Sequence, residues 1–322
     1  MCSSKILVGV SACVVGERVR FDSGHKRDQF VADELSNYFL FMPLCPEIGI
    51  GLPVPRPAIR LVSDKERVAL VENKNQTKDY TMAMQKYAKQ KINTLRRDDL
   101  CGYIVCAKSP TCGMEKVKVY KNDYADKKGI GVFTRELMEN MPWLPVEEAG
   151  RLNDPHLREN FISRVYCLRD FYDSIGNDSD VRTCQSGKII AFHSRYKLTL
   201  MAHSPQLYEK LGRMVASVNE YDPQQFFYDY RLGLMQAMSQ PVSRNNTTNV
   251  LMHIQGYFKR RLSCQEKQEL VQVIQDYRLG FRPLMAPLTL LEHYLSHYPN
   301  RYLQQQNFFD PYPHTLRLRY SL

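Results

Sequence analysis

Residues 5–10, KILVGV, form a short apolar run that leads directly into SAC at positions 11–13. A bounded run of this length, rich in valine and isoleucine, is typical of a buried β-strand. Two runs of the same kind follow, FLFMPL at 39–44 and GYIVCA at 102–107. We expect all three to be strands of one sheet.

Helical patterns lie between these strands. Residues 27–38, RDQFVADELSNY, place four apolar side chains at helical spacing, and residues 79–97 form a long stretch without glycine or proline. Strands that alternate with helices indicate a parallel sheet. We therefore predict an α/β fold for the N-terminal domain.

The rest of the chain follows helical patterns. One helix start is marked by a capping-box pattern at Ser263 and Glu266. About five helices are expected here, in an all-α helical domain. The predicted organisation is an α/β domain at 1–155, a helical extension and linker at 156–187, and a helical domain at 188–322.

Basic residues are unevenly distributed. The 322-residue chain has a formal net charge of +10, and its part from residue 188 onward holds 16 Lys and Arg against 9 Asp and Glu. This excess favours a polyanionic partner, although a solvated basic surface would give the same count. No run approaches the ~18 apolar residues of a membrane span, and no signal-peptide pattern opens the chain. We expect a cytoplasmic protein without a membrane partner.

Nine cysteines occur in the chain, and no two form a CxxC pair. In the cytoplasm a disulfide framework is not expected, so a special thiol would serve a metal or catalysis. Cys13, Cys45 and Cys112 each follow a predicted strand. Because sites in α/β sheets lie beyond the carboxyl ends of the strands, these three thiols are expected to converge.

The remaining cysteines have no such context. Cys101 precedes the third predicted strand and Cys106 lies within it, so both are interpreted as packing residues. Free cysteine usually behaves as a small buried hydrophobe. That interpretation is extended to four others: Cys2, Cys167, Cys184 and Cys264.

Three converging thiolates suit a metal site that keeps one position open. A [4Fe–4S] cluster with one free iron fits this description, and a catalytic zinc competes with it. Three unrelated core thiols are the third interpretation. The residues alone leave all three open.

Two polar residues beside these thiols suggest catalysis. Glu47 follows Cys45 by two positions and Pro46 stiffens the link, so a partly desolvated carboxylate is held where it suits general acid–base chemistry. Ser109 precedes Cys112 by three positions and is expected to face the same pocket. The alternatives are a surface or capping carboxylate and an ordinary turn serine.

Four charged residues near the same segments are candidates for substrate binding. Asp22 and Lys26 lie close to Cys13, Arg56 lies in a rigid proline-rich loop, and Lys108 lies in the third segment. For Lys26, Arg56 and Lys108, a phosphate-binding role and a simple surface role both fit.

Three blocks of the sequence resemble the bacterial thiouracil desulfurase (TudS-like) family. They are SACVVGERVRFDSGHKRD at 11–28, CPEIGIGLPVPRP at 45–57 and KSPTCG at 108–113, in that order and spacing. The resemblance extends to about residue 154. It implies a Rossmann-like domain with a [4Fe–4S] cluster as cofactor.

The same resemblance assigns residues by their place in the blocks. It implies that Cys13, Cys45 and Cys112 hold the cluster and that Glu47 and Ser109 act as acid–base residues. A cysteine at the position of Cys106 is unusual for the family, in agreement with the packing interpretation.

The second domain is similar to the helical YbgA-like domain, on the segments 192–208, 249–263 and 277–295. The combination looks like the fused (RudS-like) desulfidases of 4-thiouridine in tRNA. The resemblance implies an enzyme that hydrolyses the C–S bond of this thiolated pyrimidine without net redox change, giving uridine and hydrosulfide, with tRNA as partner.

Binding of the tRNA backbone is expected in the basic and aromatic segment 244–261, which is predicted to be helical. Lys259 and Arg260 are its phosphate-binding candidates, and Tyr257 is a candidate for stacking on a base. One alternative function is the salvage of free thiouracil or thiouridine nucleotides, against which the C-terminal charge argues. The other is a nucleic-acid-binding protein with a sensing iron–sulfur cluster, which would need no carboxylate at Glu47.

Overall fold

The computed structural model of the chain describes residues 5–64, 67–121, 124–177 and 185–321. The chain divides into two compact units, with the boundary between Asp154 and Pro155. Cys2 and Cys184, which the sequence analysis interprets as buried hydrophobes, lie outside the described residues. Among the described residues, no helix is both long enough and apolar enough to cross a membrane.

The first unit is built on two four-stranded sheets. Its strands are β1 Ile6–Ser11, β2 Phe39–Leu44, β3 Ile59–Asp64, β4 Arg67–Glu72, β5 Tyr103–Val105, β6 Val117–Lys121, β7 Tyr124–Gly129 and β8 Val146–Glu148. One sheet is parallel, in the order β2-β1-β5-β8. The other has the order β4-β3-β6-β7 and mixes antiparallel and parallel pairs. The α/β class and the three predicted strands are confirmed, whereas the second sheet was not predicted.

The parallel sheet positions the ends of its strands. Strand β1 runs through the core with Val8 and Val10 fully buried. Gly9 between them permits the close approach of Tyr103 on β5, because a Cβ there would collide with the tyrosine ring. Ser11 at the end of β1 lies opposite Leu44 at the end of β2. The segments that follow these two strands therefore leave from the same edge of the sheet.

Three helices accompany these sheets: α1 Pro46–Gly49, α2 Thr81–Arg97 and α3 Val132–Asn140. The predicted long helix is confirmed as α2. The helix predicted at 27–38 is instead a π-helical turn, Phe30–Glu34, followed by a 3-10 turn, Leu35–Asn37. Only Val31 and Leu35 of this segment are fully buried. Two short turns are enough to place this pair in the core before β2 begins.

The second unit is entirely helical in its described residues, as predicted. Its helices are α4 Pro155–Ile175, α5 Ser186–His203, α6 Pro205–Ala216, α7 Pro223–Ser239, α8 Arg244–Tyr257, α9 Cys264–Leu279, α10 Met285–His297 and α11 Arg301–Gln304. From α5 onward there are six long helices where the sequence indicated about five. Helix α4, expected as an extension, packs on α5 and α7 inside this unit.

The capping signals of the sequence are found in α9. Ser263 accepts a hydrogen bond from the backbone of Glu266, and the Glu266 carboxylate accepts one from the Ser263 backbone. The helix ends at Gly280 with φ at +86°, a left-handed conformation that glycine adopts without strain. Local chemistry thus fixes both ends of this helix.

Candidate active site

A cavity of about 210 Å³ lies at the carboxyl ends of β1, β2 and β5, and we call it the thiol cavity. Four cysteines line it: Cys13, Cys45, Cys106 and Cys112. The structure therefore brings together the three thiols that the sequence predicts to converge, and adds a fourth. All seven cysteines in the described residues are free of disulfides.

Two of these thiols are placed directly by the ends of strands. Cys13 lies in a 3-10 turn that follows β1. Cys45 follows β2 immediately and is the N-cap residue of α1, with Pro46 at the first helical position. This start turns the chain sharply, so Glu47 in the first turn of α1 faces back towards Cys45.

Cys112 is placed by the N-terminus of α3. The backbone N–H groups of Val132 and Phe133 donate to the carbonyls of Pro110 and Thr111, and the Thr134 hydroxyl donates to the Cys112 carbonyl at 2.7 Å. The first N–H groups of a helix have no partners within the helix. Here they hold the loop that carries the predicted Ser109 and Cys112.

Cys106 is buried, as its interpretation as a packing residue expects, but it also lines the thiol cavity. Strand β5 ends at Val105, so Cys106 follows its strand directly, as Cys45 follows β2, with its backbone N–H bonded to Ser11 Oγ at 3.0 Å. A hydrogen bond from the Cys13 thiol lowers the pKa of Cys106 to about 7 and raises that of Cys13. The contact between Cys13 and Cys106 was not predicted, because Cys106 was expected to lie inside the strand.

The Glu47 carboxylate is held at both oxygens. Its Oε2 accepts from Arg56 Nη2 at 2.9 Å and from Cys45 Sγ at 3.3 Å, and its Oε1 accepts from Thr111 Oγ1 at 2.6 Å. The side chains of Glu47 and Arg56 are 15% and 3% exposed. The pair is therefore a buried ion pair with additional hydrogen bonds, the arrangement in which burial of two charges is tolerated.

A chain of hydroxyl groups extends from this carboxylate to Ser109. Ser109 Oγ lies 2.9 Å from Thr111 Oγ1 and accepts from the Cys112 backbone N–H at 3.1 Å. Because the single Thr111 hydroxyl proton points to Glu47, the Ser109 hydroxyl is the donor to Thr111. The result is a directed relay, Ser109 to Thr111 to Glu47. Thr111 was missed from the sequence, where its position between Ser109 and Cys112 was the available signal.

Cationic side chains lower the pKa of two of these thiols, Arg56 at Cys45 and Lys26 with Arg20 at Cys106, but they are not the main influence at Cys45. Burial first, and then the negative charge of Glu47, raise the pKa of Cys45 to about 11. The same two causes raise the pKa of Cys112. Within the described ranges no three His, Cys, Asp or Glu side chains are close enough to hold a single metal ion. Burial and the charge of Glu47 therefore favour the thiol form of Cys45 and Cys112.

The four charged candidates for substrate binding occupy different places. Lys26 and Lys108 line the thiol cavity, and Lys108 has φ at +60°, a strained conformation often found at functional loops. Asp22 lies outside the cavity wall, where its Oδ1 accepts from the Gly24 backbone at 3.1 Å. Of the candidates with ammonium groups, Lys26 and Lys108 thus both reach the cavity wall, and neither forms a salt bridge within the described residues.

Arg56 lines the same cavity but is buried, not presented to solvent by its loop. Besides Glu47, its guanidinium donates to the carbonyls of Val19 at 2.9 Å and Pro53 at 3.2 Å. Its donors are thus directed at the protein. This geometry assigns Arg56 to holding Glu47 in place.

The candidates of the second unit lie in a turn. Helix α8 ends at Tyr257, so Lys259 and Arg260 lie beyond it, and the predicted helix over 244–261 is too long. Phe258 is buried, which turns the chain inward and leaves both basic side chains exposed. Tyr257 is partly exposed and stacks on Tyr302 with ring centroids 5.6 Å apart.

Comparison with known proteins gives matches in both units. Residues 8–149 match the 2-thiouracil desulfurase family, and residues 197–313 match DUF1722, a family described as of unknown function. The chain is 40% identical over 136 residues to the uncharacterized protein YbgA of Escherichia coli strain K12, which covers 42% of this chain and 80% of that protein. The fused TudS-like and YbgA-like architecture expected from the sequence motifs is confirmed.

A solved structure is also similar to part of the chain. It is the [4Fe-4S]-dependent thiouracil desulfidase TudS, with a TM-score of 0.37 and 23% sequence identity. The similarity covers 47% of this chain and 95% of that one.

Proposed function

Because the chain belongs to the DUF1722 family of YbgA and carries a 2-thiouracil desulfurase domain in front of it, we propose that it removes sulfur from 4-thiouridine in tRNA. The first domain makes the chain an enzyme of the thiouracil desulfidase type. In the proposed reaction, water supplies the oxygen that replaces sulfur at C4 of the ring, and its two protons leave with the sulfur. The products are uridine and hydrogen sulfide, so no electrons are gained or lost.

The donor set of the thiol cavity fits a [4Fe–4S] cluster on Cys13, Cys45 and Cys112. The three thiols line one cavity, and none of the described residues lining it is a histidine. Burial raises the pKa of Cys45 and Cys112, so their thiolates need a positively charged group beside them. When bound, a cluster with one open iron supplies a Lewis acid suited to a soft thiocarbonyl sulfur.

The observation that carries the proposal is the relay that ends at Glu47 in the wall of the same cavity. A positioned carboxylate takes a proton from the attacking water and returns it to the departing sulfur. Arg56 and Thr111 fix one oxygen each, so the carboxylate is oriented before the substrate arrives. Ser109, at the other end of the relay, delivers or accepts the second proton.

Recognition of tRNA is assigned to lysine and arginine side chains in each unit. Lys26 and Lys108 in the thiol cavity neutralise the phosphates that flank the target base, and the exposed Lys259 and Arg260 bind the RNA backbone. The target base must leave its stack to enter a cavity of about 210 Å³.

The proposal is tested with anaerobically reconstituted protein and thiolated bulk tRNA. The characteristic absorbance of 4-thiouridine is followed together with released sulfide, with Cys112→Ala as the control. We expect the band to decay and sulfide to appear only with the intact protein. Persistence of the band while the protein binds tRNA would contradict the desulfidase function and favour a binding protein with a sensing cluster.

A second candidate, salvage of free thiopyrimidines, is supported by the size of the thiol cavity, which accommodates a single base. The same assay with free 4-thiouridine monophosphate separates the two. Replacing both Lys259 and Arg260 by alanine is expected to slow the reaction on tRNA and leave that on the monophosphate unchanged. Lys210→Ala, an exposed lysine on α6, is the matched control. Equal rates on both substrates in all variants would favour salvage.

A further inference from the structure

The second unit contains a cavity of about 260 Å³ that shares no residue with the thiol cavity, and we call it the helical cavity. Side chains from α4, α5, α7, α8 and α9 line it. Its wall combines apolar and aromatic surface with two arginines, a glutamate and two histidines. Concave sites of this kind, mostly apolar with a few converging polar groups, are typical of small-ligand sites.

One buried hydroxyl in this wall forms no hydrogen bond within standard geometry among the described residues. Thr247 is fully buried on α8 and its Oγ1 has no such bond, although it lies close enough to the Tyr277 hydroxyl to oppose the pKa rise that burial causes there. Arg319, in the same wall, is ion-paired through Nε with Glu159 Oε1 at 3.5 Å and donates to the Phe308 carbonyl at 2.8 Å. Buried polar groups are nearly always paired, so the open Thr247 hydroxyl points to a missing ligand.

One end of the helical cavity is suited to an anion. Arg244 is the first residue of α8, a 14-residue helix whose first N–H groups have no partners within the helix. The Arg244 guanidinium lies 5.2 Å from the centre of the Tyr277 ring and donates to the Tyr277 carbonyl at 3.0 Å. It forms no salt bridge with a carboxylate in the described part of the chain. An uncompensated guanidinium beside a helix N-terminus favours a phosphate group.

The other groups of the wall suit the edge of a nucleobase. His203 Nδ1 donates to the Gln240 carbonyl at 2.7 Å, and burial lowers the pKa of His203, so the ring is neutral and Nε2 is an acceptor. Asn160 donates its amide to the Met238 carbonyl at 2.9 Å, which leaves its side-chain oxygen as a second acceptor. The rings of Tyr277 and Phe308 supply flat apolar surface in the same wall.

We propose that the helical cavity binds one nucleotide unit. Its phosphate is held by Arg244 and the N-terminus of α8, and its base is held against the aromatic surface with Thr247, His203 and Asn160 at polar atoms. The ligand is either a free nucleoside monophosphate or one nucleotide of an RNA chain, since both present the same chemistry. The site does not depend on sulfur removal by the first unit.

The test is calorimetric titration of the full chain with UMP, AMP and a short 5′-phosphorylated RNA. Uridine, ribose 5-phosphate and inorganic phosphate are titrated in parallel, to separate the contributions of base and phosphate. We expect a nucleoside monophosphate, the RNA, or both to bind more tightly than each of these fragments. Binding of the monophosphate alone identifies a free nucleotide as the ligand, and binding of the RNA alone identifies a unit of a nucleic acid.

Two variants connect that binding to the cavity. Arg244→Gln removes one charged donor and is expected to weaken binding about tenfold, and Thr247→Val, which keeps the shape of the side chain, is expected to weaken it several-fold. Arg282→Gln, an arginine outside the cavity that pairs with Asp276 at 2.8 Å, is the matched control. Thermal unfolding establishes that each variant is folded.

Three outcomes would overturn the proposal. The first is the absence of binding by every nucleotide probe at millimolar concentration. The second is equal affinity for inorganic phosphate and for the monophosphates, which would reduce the site to an anion site. The third is nucleotide binding that survives both Arg244→Gln and Thr247→Val unchanged. Because none of these readouts involves sulfide release, failure here leaves the desulfidase function untouched, and the reverse is also true.

Discussion

The thiol cavity and the helical cavity are of similar size but differ in how a buried threonine hydroxyl is bonded. In the thiol cavity, Glu47, Thr111 and Ser109 form an unbroken series of hydrogen bonds anchored by Arg56. In the helical cavity, Thr247 Oγ1 forms no hydrogen bond within standard geometry in the described part of the chain. A group that acts in catalysis must be oriented in advance, whereas a group that binds a ligand must keep a bonding position open. The two proposals accordingly assign a reacting site to the thiol cavity and a recognition site to the helical cavity.

The largest expected effect follows from breaking the series at Glu47. Glu47→Gln is expected to lower kcat by a factor of about 10²–10⁴, because the general base is lost. It also leaves Arg56 as an unpaired buried charge, which costs about 3–5 kcal/mol of folding stability. Steady-state kinetics and denaturant unfolding measure the two effects.

A double variant separates chemistry from stability at this site. Glu47→Gln combined with Arg56→Met removes the unpaired charge and is expected to recover most of the stability without recovering activity. Recovery of activity together with stability would show that Glu47 is structural and has no part in proton transfer.

The second unit buries ionisable groups in neutral form, and this predicts a pH effect. His193 bonds through Nδ1 to the Tyr230 hydroxyl at 3.0 Å, and burial lowers its pKa to about 4. The unfolded chain binds a proton there below about pH 6.5, whereas the folded chain does so only below about pH 4. The contribution of neutral His193 to the free energy of unfolding is therefore complete above about pH 6.5. It falls by about 3 kcal/mol as the pH is lowered from 6.5 to 4.

Unfolding titrations of the wild type and His193→Gln at several pH values measure this contribution. Carboxylates that titrate in the same range are common to both proteins and cancel in the difference. The wild type is expected to lose more stability on acidification than the variant. Parallel curves for the two proteins would mean that His193 is not buried in neutral form.

A smaller effect is expected at the middle of the relay. Thr111→Val keeps the shape of a fully buried side chain but removes the hydroxyl that joins Ser109 to Glu47. One lost hydrogen bond of this kind corresponds to about a tenfold decrease in kcat. Thr111→Ser keeps the hydroxyl and is the matched control, expected to retain most of the activity. Equal losses in the two variants would indicate a packing role for Thr111.

The parts of the thiol cavity that were predictable are those set by strand ends. Apolar runs identify β1, β2 and β5, and parallel pairing then brings Cys13, Cys45 and Cys112 to one edge. The contact between Glu47 and Thr111 joins residues 64 positions apart, and it depends on how the loop before α3 is held. No local pattern carries that information.

Half of the second sheet escaped prediction for a different reason. Strands β6, VKVYK, and β7, YADKKG, have few buried side chains, and their lysines resemble those of an exposed loop. Strand β6 pairs with β3 and with β7, and this pairing, which makes β6 and β7 strands, is a tertiary effect. Hydrophobic periodicity finds buried strands and misses strands with one solvated face and many lysines.

The smallest effect is expected at Cys106, which lines the thiol cavity but is not one of the proposed cluster ligands. Cys106 directly follows strand β5, yet the proposed cluster is held by Cys13, Cys45 and Cys112. Cys106→Ser is therefore expected to retain the iron–sulfur absorbance and to change kcat by less than about twofold, since a hydroxyl still fills the contact with Cys13. Loss of the absorbance in this variant, with Cys101→Ser as a buried control outside the cavity, would make Cys106 a ligand. One of the other three cysteines would then have to be unbound, because Lewis-acid catalysis requires one iron without a cysteine ligand.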